Sequence, residues 1–198
     1  MEVFMMDRII GAFTFRKGVY SEVESDASFT PTAWIIVAVA AFLNQLGSNA
    51  AAASVVGGNW LFGAIGGTIF TVAGFGLGAF VISYIGKTLF NAEVSFEEMV
   101  RTLGLAYVWN AIGFLGILAL IGRAMSCITG PISLLAALAG LVAFFVAAKE
   151  ALDLEWGQTI ITVLIGWVAM LIVSMIAGGI LGALGLAGAG VGALLRGL

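Results

Sequence analysis

Few side chains in this 198-residue sequence are suited to chemistry, and most of them form two small groups. The adjacent carboxylates Glu97 and Glu98 invite a catalytic interpretation, since paired carboxyl groups can serve as general acid and base. The amides Asn44, Gln45 and Asn110 stand within long apolar runs. An amide in such a run can bind a substrate, or it can bond to a neighbouring helix. The elements that hold these side chains therefore decide between chemistry and packing.

The usual components of an active site are missing from the sequence. There is no histidine, which removes the most common general base at neutral pH and the most common metal ligand. Cys127 is the one cysteine, so no thiolate metal site and no intrachain disulfide can form. No glycine-rich phosphate loop is present. We therefore predict no catalytic, cofactor-binding or metal-binding residues, no cofactor and no enzymatic activity.

The two carboxylates have a structural explanation. Ser95 and Glu98 fit the Ser-x-x-Glu capping box, in which the hydroxyl and the carboxylate each bond to an exposed backbone N–H. Glu97 and Glu98 then lie in the first helical turn, where negative charge complements the helix dipole. The pattern predicts a helix that begins near Ser95. It either runs along the membrane interface and bends at Gly104, or continues directly into a span.

The charged residues are confined to short islands, separated by long apolar runs. The chain is 62% hydrophobic and 10% charged, far from the composition of soluble domains. A membrane span needs roughly 20 apolar residues. The charge-free runs, 27–86, 102–122, 124–148 and 156–195, provide this length several times over. The fold class is therefore an all-α, polytopic transmembrane helical bundle with five spans, and six are possible by length.

The division into domains follows from these runs. Residues 1–30 are predicted as a cytoplasmic amphipathic helix and linker, and residues 31–198 as the bundle. We expect a turn at Gly57 to Asn59, and we expect Gly122-Arg123 and a polar turn at Ser126 to Pro131 to divide the third span from the fourth, because glycine, proline and small polar residues interrupt helices. The Gly-rich tail, 178–198, is long enough to form the sixth span. The five predicted spans are about 31–52, 60–85, 102–122, 131–148 and 158–177.

The N-terminal residues have the pattern of an amphipathic helix. Met6, Ile9, Ile10 and Phe13 recur at helical spacing and form one apolar face. Such a helix can lie along the bilayer interface, with its charged face in water. We favour this interfacial placement over a short helix packed on the bundle.

Basic residues indicate the orientation. If the N-terminus is cytoplasmic and there are five spans, the positive-inside rule is obeyed, because only Arg123 and Arg196 lie outside. A sixth span would bring Arg196 inside as well. The basic residues on the inner side are then Arg8, Arg16, Lys17, Lys87, Arg101 and Lys149.

Glycine pairs in the second span indicate close helix packing. Gly63 and Gly67, and Gly74 and Gly78, have the small-xxx-small spacing that lets helix backbones approach. We favour packing within the bundle over homodimerisation. We likewise expect the intramembrane amides to bond between helices.

Several stretches resemble the Yip family of small polytopic membrane proteins, named for interaction with Rab-type GTPases. Their order and spacing are similar to the family's from about Met1 to Gly179. One departure is Trp109, because the family often has proline just after the Ala-Tyr stretch. The stretches are RIIG at 8–11, SFEEMVRTLGLAYV at 95–108, KEAL at 149–152 and IITVLIGW at 160–167.

The resemblance implies a five-span bundle with a cytoplasmic N-terminus and no enzymatic activity. Eukaryotic relatives act in vesicle traffic between endoplasmic reticulum and Golgi, and use an N-terminal cytosolic region to meet their partners. Here that region is about thirty residues, so the chain is similar to a minimal prokaryotic member in a cytoplasmic membrane. No Rab-binding residue is carried over.

Two functions are consistent with these features. The first is a non-enzymatic scaffold or accessory subunit that contacts the lipid bilayer and binds other integral membrane proteins, as part of a larger complex or as a homo-oligomer. The second is a channel or small-solute permease, for which Asn44, Gln45 and Asn110 would be the polar lining. The net charge of −3 gives no indication of nucleic-acid binding.

Overall fold

The computed structural model describes residues 2–56 and 60–183, and within this part of the chain every long element is helical. Two short helices precede the spans, and a 3₁₀ turn joins them to α3. A longer 3₁₀ segment follows α5. The elements are α1 (Glu2–Phe13), α2 (Val19–Ser25), the turn Ala27–Phe29, α3 (Thr30–Val56), α4 (Trp60–Phe90), α5 (Phe96–Ala106), the 3₁₀ segment Tyr107–Leu120, α6 (Arg123–Leu152) and α7 (Trp156–Ala183).

Four of these stretches are long and apolar enough to cross a membrane, and a fifth, shorter apolar helix covers Trp156–Ile172. Each predicted span overlaps one of them, so the all-α transmembrane bundle is confirmed. The turn predicted at Gly57 to Asn59 lies outside the described residues, as does the Gly-rich tail beyond Ala183. The four long stretches are Ala27–Ser54, Trp60–Phe90, Phe96–Leu120 and Ala124–Leu152.

The polar turn predicted at Ser126 to Pro131 is wrong. Helix α6 begins at Arg123, and Pro131 lies inside it. The break lies at Ile121 and Gly122, directly before α6, so of the predicted division only the part at Gly122 is found. Polar residues do not end a helix here because an interrupted helix in a membrane leaves backbone groups without partners. Proline removes a single N–H from the ladder, which costs less.

The third span changes its helix type without a proline. The α-helix ends at Ala106, and the backbone continues as a 3₁₀ helix through Leu120. The chain therefore continues directly into the span and does not bend at Gly104. Such long 3₁₀ runs are uncommon, because their hydrogen-bond geometry is poorer than that of an α-helix.

The 3₁₀ geometry aligns a stripe of small and polar residues against α3. With three residues per turn, side chains at i and i+3 lie directly above one another. Asn110, Gly113 and Gly116 therefore share one face along the whole segment. A Cβ atom on Gly116 would lie 2.6 Å from the carbonyl oxygen of Gly47 in α3. A Cβ atom on Gly47 would clash with the carbonyl oxygen of Gly113. Here the two backbones are in direct contact.

We predict that Gly47→Ala destabilises the bundle by about 2 kcal/mol or more, because an added methyl group in a close-packed contact forces the two backbones apart. The measurement is reversible unfolding in detergent. Gly66→Ala is the matched control on α4, since a Cβ atom there has open space. It is expected to be neutral or slightly stabilising, because alanine is the better helix former. Equal stability of the two variants would contradict the proposed contact.

Candidate functional site

Two of the intramembrane amides, Asn44 and Gln45, bond between helices, as predicted. Asn44 Nδ2 donates to the main-chain oxygen of Asn110 at 3.1 Å. Gln45 Nε2 donates to Thr71 Oγ1 of α4 at 3.0 Å. Asn110 takes part through its carbonyl group, while its own side chain donates to Tyr107 O at 3.3 Å within the same segment. These bonds connect α3 to the elements on either side of it.

One glycine pair of α4 serves packing inside the bundle. A Cβ atom on Gly63 would clash with Asn49 Oδ1, and one on Gly67 would clash with Gln45 Oε1. The absence of side chains at Gly63 and Gly67 therefore lets the polar side chains of α3 pack directly against α4. Gly74 and Gly78 differ, since a Cβ atom on either meets no described atom within 4 Å.

The capping box at the start of α5 is confirmed. Glu98 N donates to Ser95 Oγ at 3.1 Å, and Ser95 N donates to Glu98 Oε2 at 2.6 Å. Glu97 is exposed in the same first turn. Glu98 thus has a structural role, and Glu97 lies in the first turn, where negative charge complements the helix dipole.

Arg101 organises the charged end of the molecule, and its role was not anticipated from the sequence. The side chain is buried, and its Nε donates to the carbonyl oxygens of Val23 and Glu24, each at 3.0 Å. Nη1 also donates to Thr30 Oγ1 at 3.2 Å. Arg101 therefore completes the C-terminal end of α2, whose last carbonyls have no partner within the helix. A positive group at this end also complements the helix dipole.

Several carboxylates surround the Arg101 contact. Burial is the main cause that raises the pKa of Glu24 to about 7. Asp153, Glu98 and Glu150 raise this pKa further through their negative charge, and the Arg101 guanidinium lowers it in part. Glu24 thus exchanges its proton near neutral pH, at the point where α2 meets the bundle.

The N-terminal helix α1 divides its apolar face between the bundle and the exterior. Ile9 and Phe13 pack against the core, and the ring of Phe13 meets that of Trp109 edge to face at 5.0 Å. Met6 and Ile10 are exposed and available to lipid. Helix α1 therefore packs on the bundle through part of its apolar face, and its interfacial placement stays a prediction.

Salt bridges connect the N-terminal segment to the charged end of the molecule. Arg8 Nη1 contacts Asp26 Oδ2 at 2.8 Å, and its guanidinium lies 5.1 Å from the centre of the Phe29 ring. Arg16 contacts both Asp7 and Glu22. The segment that precedes the first span is thus part of the folded molecule.

Three of the four stretches singled out in the sequence, at 8–11, 95–108 and 149–152, contribute to this charged end. Arg8 comes from α1 and Arg101 from α5, while Ala151 and Leu152 at the end of α6 are fully buried. Helix α2 packs against both α5 and α6. Residues far apart in the chain therefore build one junction. We call Arg101 and its partners Val23, Glu24 and Thr30 the Arg101 junction.

The helices, their apolar lengths and this junction define a multi-pass α-helical membrane protein. The chain belongs to the Yip family, since the model of the Yip1 domain matches residues 10–190. The resemblance noted in the sequence is thereby confirmed. No curated protein and no solved structure matches the chain.

We predict that Arg101→Met releases α2 from the bundle. Methionine keeps much of the side-chain volume but removes the donors to Val23 and Glu24, and hydrogen bonds to a charged group contribute about 1.5–3 kcal/mol. Hydrogen exchange of residues 19–25 should therefore become much faster. Lys87→Met, at an exposed position, is the control. Unchanged exchange in α2 would show that Arg101 does not hold it.

We also predict that stability falls as pH rises towards 7. Because the pKa of Glu24 is raised from 4.5 to about 7 on folding, its contribution is fully present below pH 4.5. It is lost as pH rises through about 7. The loss is about 1 kcal/mol after allowance for the partial exposure of this side chain.

Melting curves between pH 5 and 8 measure this effect. Glu24→Gln should remove this part of the pH dependence, because glutamine stays neutral throughout. Glu93→Gln, at an exposed carboxylate, should leave it in place. A Glu24→Gln curve that still follows the wild-type pH profile would refute the assignment.

Proposed function

We propose that this protein is a non-enzymatic membrane scaffold or accessory subunit that binds a transmembrane helix of another membrane protein. The observation that carries the proposal is the exposure of α4. Of the 18 residues that form the apolar part of α4, only 17% are buried inside the bundle, against 33%, 33% and 22% for the same length of the other three long stretches. Helix α4 therefore offers more free surface to the membrane than they do.

The composition of the free α4 surface favours a protein partner. Phe62, Phe70, Phe80 and Tyr84 are exposed, and the rings of Phe80 and Tyr84 stack at 6.3 Å. Gly74 and Gly78 lie in the same helix with space beside them. Glycine at this spacing lets a second backbone approach, and the large side chains beside the glycines extend the contact. We call these six residues the α4 surface.

The charged end supports the proposed orientation. Lys87, Arg101 and Lys149 lie at the ends of spans on one side of the bundle, with the basic residues of the N-terminal segment. From the positive-inside rule we infer that the N-terminus and the Arg101 junction face the cytoplasm. We propose a prokaryotic cytoplasmic membrane, where the junction would present a folded surface to cytoplasmic partners.

A channel or small-solute permease is the alternative function. It depends on Asn44, Gln45 and Asn110 as a polar lining. The hydrogen bonds favour the scaffold, because the side-chain N–H groups of Asn44 and Gln45 already donate to neighbouring helices. Ion-coupled transport also tends to use ionisable groups at bilayer depth, and the charge-free runs provide none.

We predict that a photo-crosslinking amino acid at position 70 forms protein adducts in native membranes. Leu135 on α6 is the matched control, since its exposure of 67% is close to that of Phe70 at 69%. A probe at position 135 should form mainly lipid adducts. Leucine at both Gly74 and Gly78 should reduce the adduct at position 70 at least fivefold, by filling the space that a partner helix needs.

The glycine substitutions have their own control. Gly130→Leu on α6 also adds a side chain in open space and should leave the adduct at position 70 unchanged. Equal protein adducts at positions 70 and 135, or insensitivity to the double leucine variant, would overturn the proposed α4 surface. An adduct of twice the chain mass would assign that surface to a homo-oligomer instead.

A further inference from the structure

Helix α2 depends on its contacts with the bundle. It has only seven residues, and isolated helices shorter than about 12 residues are marginal in water. No side chain caps its start, where Gly18 has a left-handed φ of 81°. The buried side chains Val19 and Val23 and the hydrogen bonds from Arg101 therefore keep α2 in place. If these contacts weaken, α2 leaves the bundle and loses its helical structure.

Two features of docked α2 oppose these contacts. The hydroxyl group of Tyr20 is buried and has no hydrogen-bond partner among the described residues, which is unfavourable in an apolar environment. The partly buried carboxyl group of Glu24 lies near the C-terminal end of α2, where a negative charge opposes the helix dipole. Docking is therefore a balance that a change in the charge of Glu24 can shift.

The groups around Glu24 compensate its charge poorly. Glu98 and Arg101 of α5 act on it electrostatically, and Glu150 and Asp153 do so from the end of α6. Arg101 directs Nε and Nη2 at main-chain oxygens of α2. Within the part of the chain that the structure describes, no cation forms a salt bridge with the Glu24 carboxylate. An ionised Glu24 would thus face three other carboxylates and one shared guanidinium.

The other charged groups packed against α2 have partners of their own. The ion pairs of the N-terminal segment are Arg8–Asp26, Arg16–Asp7 and Arg16–Glu22. On α6, the ammonium group of Lys149 lies 5.8 Å from the centre of the Trp156 ring. Burial, and then the neighbouring carboxylates, raise the pKa of Glu24 to about 7. A proton can therefore neutralise this carboxyl group near neutral pH.

We propose that the docking of α2 on α5 and α6 is a pH-controlled switch, closed while the Glu24 carboxyl group is protonated and open in a larger fraction of molecules once it ionises. Opening uncovers the surface of α5 and α6 that α2 covers. The proton concentration on this side of the membrane thus controls access to that surface. The switch is independent of the scaffold proposal, since α2 and the α4 surface share no residue.

The direction of the response follows from the two states. The pKa of Glu24 is about 7 when α2 is docked, and it returns towards its ordinary value of 4.5 when α2 is released. The stabilisation of the docked state is fully present below pH 4.5 and is lost as pH rises through about 7. After allowance for the partial exposure of the side chain, the ratio of open to docked molecules should rise about fivefold between pH 5 and pH 8.

The test measures the distance from α2 to the bundle in the full-length chain. Spin labels are attached to Ser21→Cys in α2 and Thr88→Cys in α4, both at exposed positions, in a Cys127→Ser background. Double electron–electron resonance in nanodiscs gives the distance distribution at pH 5 and at pH 8. We expect a second, broader population whose ratio to the docked one is about fivefold larger at pH 8. Equal distributions at the two pH values would overturn the proposal.

A second label pair separates local opening from a response of the whole bundle. Thr88→Cys is combined with the native Cys127, which is exposed at the start of α6. This distance lies within the bundle and should be the same at pH 5 and pH 8. A change in both label pairs would contradict a switch confined to α2.

Variants identify the titrating group. Glu24→Gln should stay docked at pH 8 as the wild type does at pH 5, whereas Glu93→Gln, at an exposed position, should respond like the wild type. An open population that still grows with pH in Glu24→Gln would assign the response to another group and refute the switch.

Asp153→Asn tests the electrostatic mechanism itself. Asp153 has a φ of 50°, a conformation that asparagine also tolerates, so the backbone can be retained. Removing its charge lowers the pKa of Glu24, so the opening should be smaller and complete at a lower pH. A purely structural effect would change the open population by the same factor at every pH. An Asp153→Asn profile with the wild-type midpoint and amplitude would contradict the proposed carboxylate cluster.

Discussion

The direct backbone contact between α3 and the 3₁₀ segment is the constraint around which the rest of the bundle is arranged. Gly47 and Gly113 meet without intervening side chains, so the two spans lie closer than ordinary helices. Within a membrane no hydrophobic force draws helices together, and association depends on close packing and hydrogen bonds. The bond from Asn44 to the carbonyl of Asn110 supplies the second of these at the same place. With α3 fixed, Gln45 and Asn49 reach the glycines of α4.

The protein separates two kinds of polar interaction by depth. Within the spans, uncharged amides and glycines join the helices. At the charged end, Arg101 binds the last carbonyls of α2 and so connects the N-terminal segment to α5. Glu24 lies beside this contact with a pKa of about 7. The first region packs the helices together, and the second contains a carboxyl group that titrates near neutral pH.

Much of this architecture follows from the sequence alone. The charge-free runs predict the spans because bilayer thickness sets the length of a helix, and Ser95 with Glu98 predicts the start of α5 because capping is local. The roles of Asn44 and Gln45 were also predictable, since a buried amide in lipid must find a partner. These features depend on the residue type and its immediate neighbours.

Other features depend on contacts between distant residues and were missed. Arg101 gave no signal, because Val23 and Glu24 become its partners only when α2 packs on α5. The glycine stripe of the third span was hidden as well, since Gly113 and Gly116 align with Asn110 only in a 3₁₀ helix. The turn predicted before Pro131 was wrong because local breaker residues were weighed without the cost of an open backbone in lipid.

The most direct test of this account is a solid-state NMR distance measurement between Asn44 and Asn110 in lipid bilayers. A protein with ¹⁵N in the Asn44 side-chain amide and ¹³C in the Asn110 carbonyl would report whether α3 and the 3₁₀ segment are joined there. The account predicts a small but measurable dipolar coupling, as required by an N···O distance of 3.1 Å. A coupling too weak for hydrogen-bond contact would contradict it, because the glycine interface could not then hold the two spans together.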